Sequence, residues 1–228
     1  MIFSKKYAPT LNIHINDTEI EIVHLTKFLG VTLHDKLEWK HHVNRICAKV
    51  SKLIGIMRRA KHKINKCTLI TLYYSLIYPY LIYCNSVWGN AGVTFISKLH
   101  RIQKSAVRII FNLKFREHTE DFFKAANILT VFQLFPYSCC IFMYKCLNNI
   151  MPPIICCKFT LNRNHNVHSM STRNHNVYSL PLCRTSIRYN SVTYQGPMHF
   201  NSLDQSLQNS TSIQILKKKL KLFFVYTL

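Results

Sequence analysis

The hydrophobic pattern along the chain changes period near residue 35. Before that point it alternates. Leu11, Ile13 and Ile15 fall on one face, Asn16-Asp17-Thr18 supplies turn chemistry, and Ile20 and Ile22 resume the alternation. A further strand is predicted over 27–33, so residues 1–33 read as a small antiparallel sheet. Asp35, three residues before Glu38, has the pattern of a helix N-cap with its capping box. From there the period becomes helical. Trp39, Val43, Ile46, Val50, Leu53 and Met57 are separated by 4, 3, 4, 3 and 4 residues and form one apolar seam.

Helical segments follow at about 66–83, 94–113, 116–127 and 130–148. In the second, Ile96, Leu99, Ile102, Ala106, Val107 and Ile110 make the apolar face, beside Lys98, Arg101, Lys104 and Arg108. Met151-Pro152-Pro153 closes the helical block and marks a boundary near residue 150. Beyond it, "RNHNVHS" at 163–169 recurs as "RNHNVYS" at 173–179, a period of ten with too few copies for a solenoid. This reads as a locally duplicated loop. Short strand-like runs are predicted around Ile187, Tyr189, Val192 and Tyr194, with a turn at Gln195-Gly196-Pro197. A last amphipathic helix carries Ile213, Leu216, Leu220 and Phe223 on one side and Lys217, Lys218, Lys219 and Lys221 around them. The expected fold class is α+β, mainly helical, with a small sheet, a helical bundle and a mixed C-terminal extension.

Charge adds direction to this plan. In 228 residues there are 30 Lys and Arg against 9 Asp and Glu, a net charge of +21. Such a field favours a polyanion, either nucleic acid or an anionic membrane surface. Off the first helix's seam lie Lys40, Arg45, Lys49, Lys52, Arg58 and Arg59, and no acid occurs between Glu38 and Glu117. A helix that packs by one stripe and is cationic elsewhere can rest on a core while presenting charge to a phosphate backbone. A merely solvated face would tolerate mixed signs.

Other chemistry is excluded or weakly marked. The nine cysteines are odd in number and include adjacent pairs, Cys139-Cys140 and Cys156-Cys157, with no C-x-x-C. They read as reduced thiols of an intracellular protein, nuclear or cytoplasmic and not secreted. His165, His168 and His175 near Cys156, Cys157 and Cys183 lack zinc-ligand spacing. No GxxxxGK or GxGxxG loop is present. The nine acids include no pair placed at a tight turn between apolar strands, as two-metal phosphoryl transfer needs. No cofactor, no metal site and no catalytic residue is therefore assigned. Residues 67–97 and 125–144 carry no charge and are long enough to span a bilayer. Tyrosines through the middle of the first, and Asn127, Gln133 and Pro136 in the second, favour buried core helices. A small basic membrane protein with two hydrophobic helices stays as the alternative.

The order of motifs resembles the C-terminal part of the reverse transcriptase of jockey-like non-LTR retrotransposons. It is carried by "INDTEIEIVHLTKFLGVTLHDKLEWKHHV", "LYYSLIYPYLIYCNSVWGN", "RIQKSAVRIIF", "PLCRTSIRYNSVTYQGPMHFNSL" and "LKKKLKLFF", in that order across essentially the whole chain. The resemblance implies an RNA-directed DNA polymerase fragment in three parts. Residues 1–33 would be a palm remnant, 34–150 a helical thumb and connection, and 151–228 a C-terminal extension. Phe28, Leu29, Gly30 and Val31 resemble the hairpin that grips a primer terminus. The basic thumb helix would track an RNA–DNA duplex, and Arg173, Arg184 and Arg188 are candidate phosphate ligands in the extension.

The family's catalytic Tyr-x-Asp-Asp turn, fingers and most of its palm have no counterpart here. The parent enzyme would use Mg²⁺; this chain is expected to bind nucleic acid, either an RNA–DNA duplex or template RNA, without polymerising and without a small-molecule substrate. A tryptophan usual in the family near "QGP" is Phe200 here. Met1 reads as a start inside a longer frame.

Overall fold

The computed structural model describes residues 1, 3, 13–161 and 177–227. Leu11, Arg173, His165, His168, His175 and most of the duplicated loop lie outside them. Asn16 and Asp17 both take positive φ, 49° and 62°. Short polar side chains tolerate that conformation, and a two-residue hairpin turn requires it. They join β1 (His14–Ile15) to β2 (Thr18–Glu19). The segment expected as one strand at 27–33 is instead a second hairpin. β3 (Leu25–Phe28) turns at Leu29-Gly30 into β4 (Val31–His34). The hairpins form separate two-stranded sheets instead of one. Ile13, Ile15, Ile20 and Ile22 are all exposed, so the alternation marks strand habit and no covered face.

Asp35 does not cap a helix. Its amide donates to the His24 carbonyl at 3.0 Å and so extends the second hairpin. Its carboxylate is engaged by Nδ1 of His24 at 2.6 Å and of His34 at 3.1 Å. The His24 hydrogen bond, with His34 nearby, holds the Asp35 carboxyl below its ordinary range. Leu37 then takes a φ of 56°, which a right-handed helix excludes, and α1 (Lys40–Ala60) begins only after Trp39.

α1 buries Val43, Ile46, Val50 and Met57, as the seam predicts, and also His42, Cys47 and Ile54; Trp39 and Leu53 flank it, half-buried. The next apolar stretch folds as α2 (Lys66–Leu72), a π-helical turn (Tyr73–Ile77) and α3 (Tyr78–Ile82). Asn65 caps it, accepting from the Thr68 amide at 2.8 Å. α4 (Asn85–Trp88), α5 (Val93–Ile110), α6 (Glu120–Ala125) and α7 (Val131–Leu147) follow. α7 starts at a capping box made by Thr130 and Gln133.

α7 is apolar around most of its circumference because neighbours cover it on several sides: α4, α5, α10 (Val192–Asn201) and α12 (Ile213–Thr227). Between them run the short α8 (Pro153–Cys156), α9 (Ser186–Tyr189) and α11 (Gln205–Gln208). Among the described residues no helix is long and apolar enough to cross a membrane. All nine cysteines are free thiols.

The strands expected around Ile187, Tyr189, Val192 and Tyr194 are helices, α9 and α10. Packing overrides local β preference there. A Cβ on Gly196 would stand 2.7 Å from the Met143 sulfur, so a larger residue there would displace the Met143 side chain where α10 packs on α7. One continuous apolar core runs from Val43 through Leu134 and Met143 to Tyr178, Phe200, Leu216 and Phe224. The fold is α+β and mainly helical.

Candidate nucleic-acid interface

The Leu29-Gly30 turn is docked on the helices by three polar contacts. The Tyr83 hydroxyl donates to the Leu29 carbonyl at 2.6 Å. The Thr32 amide donates to Nδ1 of His42 at 3.1 Å, and the Arg45 guanidinium donates to the Thr32 hydroxyl at 3.3 Å. Burial, reinforced by the charges of Arg45 and Lys49, pushes the His42 imidazole down to about 4. The ring is therefore neutral near pH 7, which leaves Nδ1 free to accept. Its edge meets the fully buried Trp88 at 5.4 Å between ring centroids.

Local sequence explains why Tyr83 is available. Pro79 opens α3, which ends as Tyr83 becomes extended (φ −62°, ψ 121°) and Cys84 turns left-handed (φ 49°). Tyr80 and Tyr83, three residues apart, thus stand on one side of the chain. They close a groove of about 290 Å³ whose other walls are Lys27, Gly30, Arg45 and Lys49. The Lys49 ammonium lies 5.1 Å from the centre of the Tyr80 ring, within range of a cation–π attraction. Gly30 has a φ of 84°, and a Cβ there would touch the Tyr83 ring at 3.4 Å.

Of the residues singled out from sequence, the structure brings Gly30, Arg45 and Lys49 into this groove. Phe28 and Leu29 project from the hairpin, 61% and 73% exposed, while Val31 is buried. Leu29 carries the strain of a positive φ, 44°, at the exposed tip. Arg45, Lys49, Lys52 and Arg59 follow one another at spacings of 4, 3 and 7 and so share one stripe of α1. Lys40 and Arg58 lie about 140° away around the helix, given roughly 100° per residue. Arg184 and Arg188 are exposed in the extension, Arg188 on α9. Among the described residues the ion pairs are those of Asp35 with His24 and His34, so no lysine or arginine there is ion-paired. The stripe is cationic and unneutralised.

Reading the residues alone did not single out Lys27, His42, Tyr80 or Tyr83. Lys27 sits beside the quoted turn, and the Tyr-x-x-Tyr spacing after Pro79 was the available signal. Their convergence depends on contacts across 10 to 54 residues, which no local pattern encodes.

No family model matches the chain, and no solved structure matches it. The chain is similar to a probable RNA-directed DNA polymerase from transposon X-element of Drosophila melanogaster, 24% identical over 134 residues. That stretch is 57% of this chain and 15% of the relative's length.

Proposed function

We propose that the chain is a piece of a jockey-like non-LTR retrotransposon reverse transcriptase that holds nucleic acid and does not polymerise. Residues 1–33 act as the end of a palm, 34–150 as thumb and connection, and 151–228 as a C-terminal extension. One observation carries the reading. The second hairpin is fastened through Thr32 to α1, whose outward stripe, Arg45, Lys49, Lys52 and Arg59, has no acidic partner among the described residues. A glycine turn permits close backbone approach to a nucleic-acid strand, and the stripe beside it supplies phosphate contacts. The similarity to a transposon RNA-directed DNA polymerase supports an RNA–DNA duplex as the polyanion. Arg184 and Arg188 serve as further phosphate ligands in the extension, with Arg173 outside the described residues.

Binding to an RNA–DNA hybrid, followed as a function of salt, tests this. The affinity falls steeply as salt rises, and Lys49→Glu or Lys52→Glu each lowers the slope of log affinity against log salt by about one. An affinity that stays flat with salt overturns the reading. Catalysis is tested on the same preparation. With Mg²⁺ or Mn²⁺ and deoxynucleotides the chain extends no primer, and templated incorporation above background would refute that half of the proposal.

A further inference from the structure

A second, larger concavity of about 650 Å³ lies between the start of α1 and the corner formed by α9 and α10. We propose that it takes an unpaired base of single-stranded nucleic acid, stacked against Trp39 and Phe95. The proposal rests on the nucleic-acid reading above and adds a site for a different part of the ligand.

The volume falls within the range of small-molecule sites, roughly 300–1,000 Å³. Trp39 and Phe95 both line the cleft and both are half-buried, whereas the chain's other tryptophan, Trp88, is 0% exposed. An aromatic wall open to solvent is what a base needs for stacking, and stacking tolerates any base because each has a π-face. Asn90 and Asn190 meet across the cleft, the Asn90 amide donating to the Asn190 side-chain oxygen at 3.0 Å. Each primary amide keeps unused donor and acceptor capacity for the edge of a base.

The rim carries Lys36 and Lys40 against one acid, Glu38. Lys40 faces away from the Arg45–Arg59 stripe, so a duplex lying on that stripe does not use it. A strand that continues unpaired past the start of α1 would. A duplex is too wide to enter such a cleft, which restricts the occupant to a flipped or unpaired base.

The test compares three probes on the full chain. One is a blunt RNA–DNA hybrid, the second carries a short single-stranded overhang, and the third carries the same overhang without its bases. Affinity is read by anisotropy and occupancy by intrinsic tryptophan fluorescence, since of the two tryptophans Trp39 is the one at the cleft. The overhang tightens binding about tenfold and quenches fluorescence, and the abasic overhang returns affinity to the blunt value. Trp39→Ala abolishes the gain and leaves blunt-hybrid affinity unchanged. Because Trp39 also packs on the core, the exposed Asn190→Ala is the second variant; it reduces the gain several-fold without touching packing.

An abasic overhang that binds as tightly as the intact one overturns the proposal, as does a gain that survives both substitutions. Equal quenching by polyglutamate also overturns it, because the cleft would then be selecting an acidic peptide. Loss of blunt-hybrid binding with overhang quenching retained strikes the duplex reading and spares the cleft.

Discussion

The first hairpin, β1–β2, turns on Asn16-Asp17, residues well suited to positive φ, yet its isoleucines stand exposed. The second, β3–β4, turns on Leu29-Gly30, where a leucine is forced to a φ of 44°. It is nevertheless the one that docks, with Val31 and Thr32 buried and three polar contacts to α1 and the end of α3. Good turn chemistry makes a hairpin; it does not give the hairpin a place to sit. The difference lies in what the helices present. His42, Arg45 and Tyr83 reach the second hairpin, and their hydrogen bonds offset a turn strain of about 1–2 kcal/mol. Strain retained at an exposed tip beside a cationic groove also fits a turn kept for contact with a ligand.

Acid should break this contrast most strongly. The His42 imidazole is buried neutral and titrates near 4 against an ordinary 6.5. Between those values the unfolded ring binds a proton that the folded ring does not. The unfolded state then holds more protons, so stability is lost as pH falls through that window. The full shift is worth at most about 3 kcal/mol. Burial lowers His100 and His199 as well, so global unfolding at low pH sums several histidines. The Thr32 amide, which donates to His42, isolates the one of interest. Corrected for intrinsic exchange, its protection falls on the order of a hundredfold between pH 6.5 and 4. The Ile20 amide, which bonds Ile13 in the first hairpin, shows no such His42-linked change. Unchanged protection at Thr32 would mean that His42 does not hold the second hairpin.

Much of the helical frame was legible in the sequence because its apolar period is strong. The α1 seam and the α5 face both read correctly, and the 125–144 stretch became the core helix α7 where Gln133 and Pro136 had argued against a membrane span. Misreadings cluster where a distant contact decides. Ile187, Tyr189 and Val192 favour strands locally, but the chain there is helical and α10 packs along α7, with Gly196 against Met143. Asp35 has the spacing of a helix cap, but its amide donates to the His24 carbonyl and its carboxylate engages the His24 ring, which keeps it in the hairpin. Of the site, the basic residues of α1 were visible as a class. Which of them face the hairpin depends on the crossing of α1 with β4 and α3. Tyr80 and Tyr83, which close the groove, were informative from sequence only as residues ill-placed for a membrane span.

A smaller and opposite effect tests whether the strain at the second turn is real. Leu29→Asn gives that turn the chemistry the first already has. The leucine side chain is 73% exposed, and the Tyr83 contact is made by the backbone carbonyl, so the substitution removes no packing and keeps the hydrogen bond. Relief of the left-handed strain then raises stability by about 1 kcal/mol, read as a higher urea midpoint with an unchanged slope. The converse change, Asn16→Leu, strains the first turn equally but leaves the global midpoint where it was, because among the described residues no hydrogen bond ties that hairpin to the helices and its opening is local. If Leu29→Asn leaves the midpoint unmoved while Asn16→Leu lowers it, the roles of the two hairpins are reversed: the first would be the one coupled to the fold, and the docking of the second would contribute nothing to its stability.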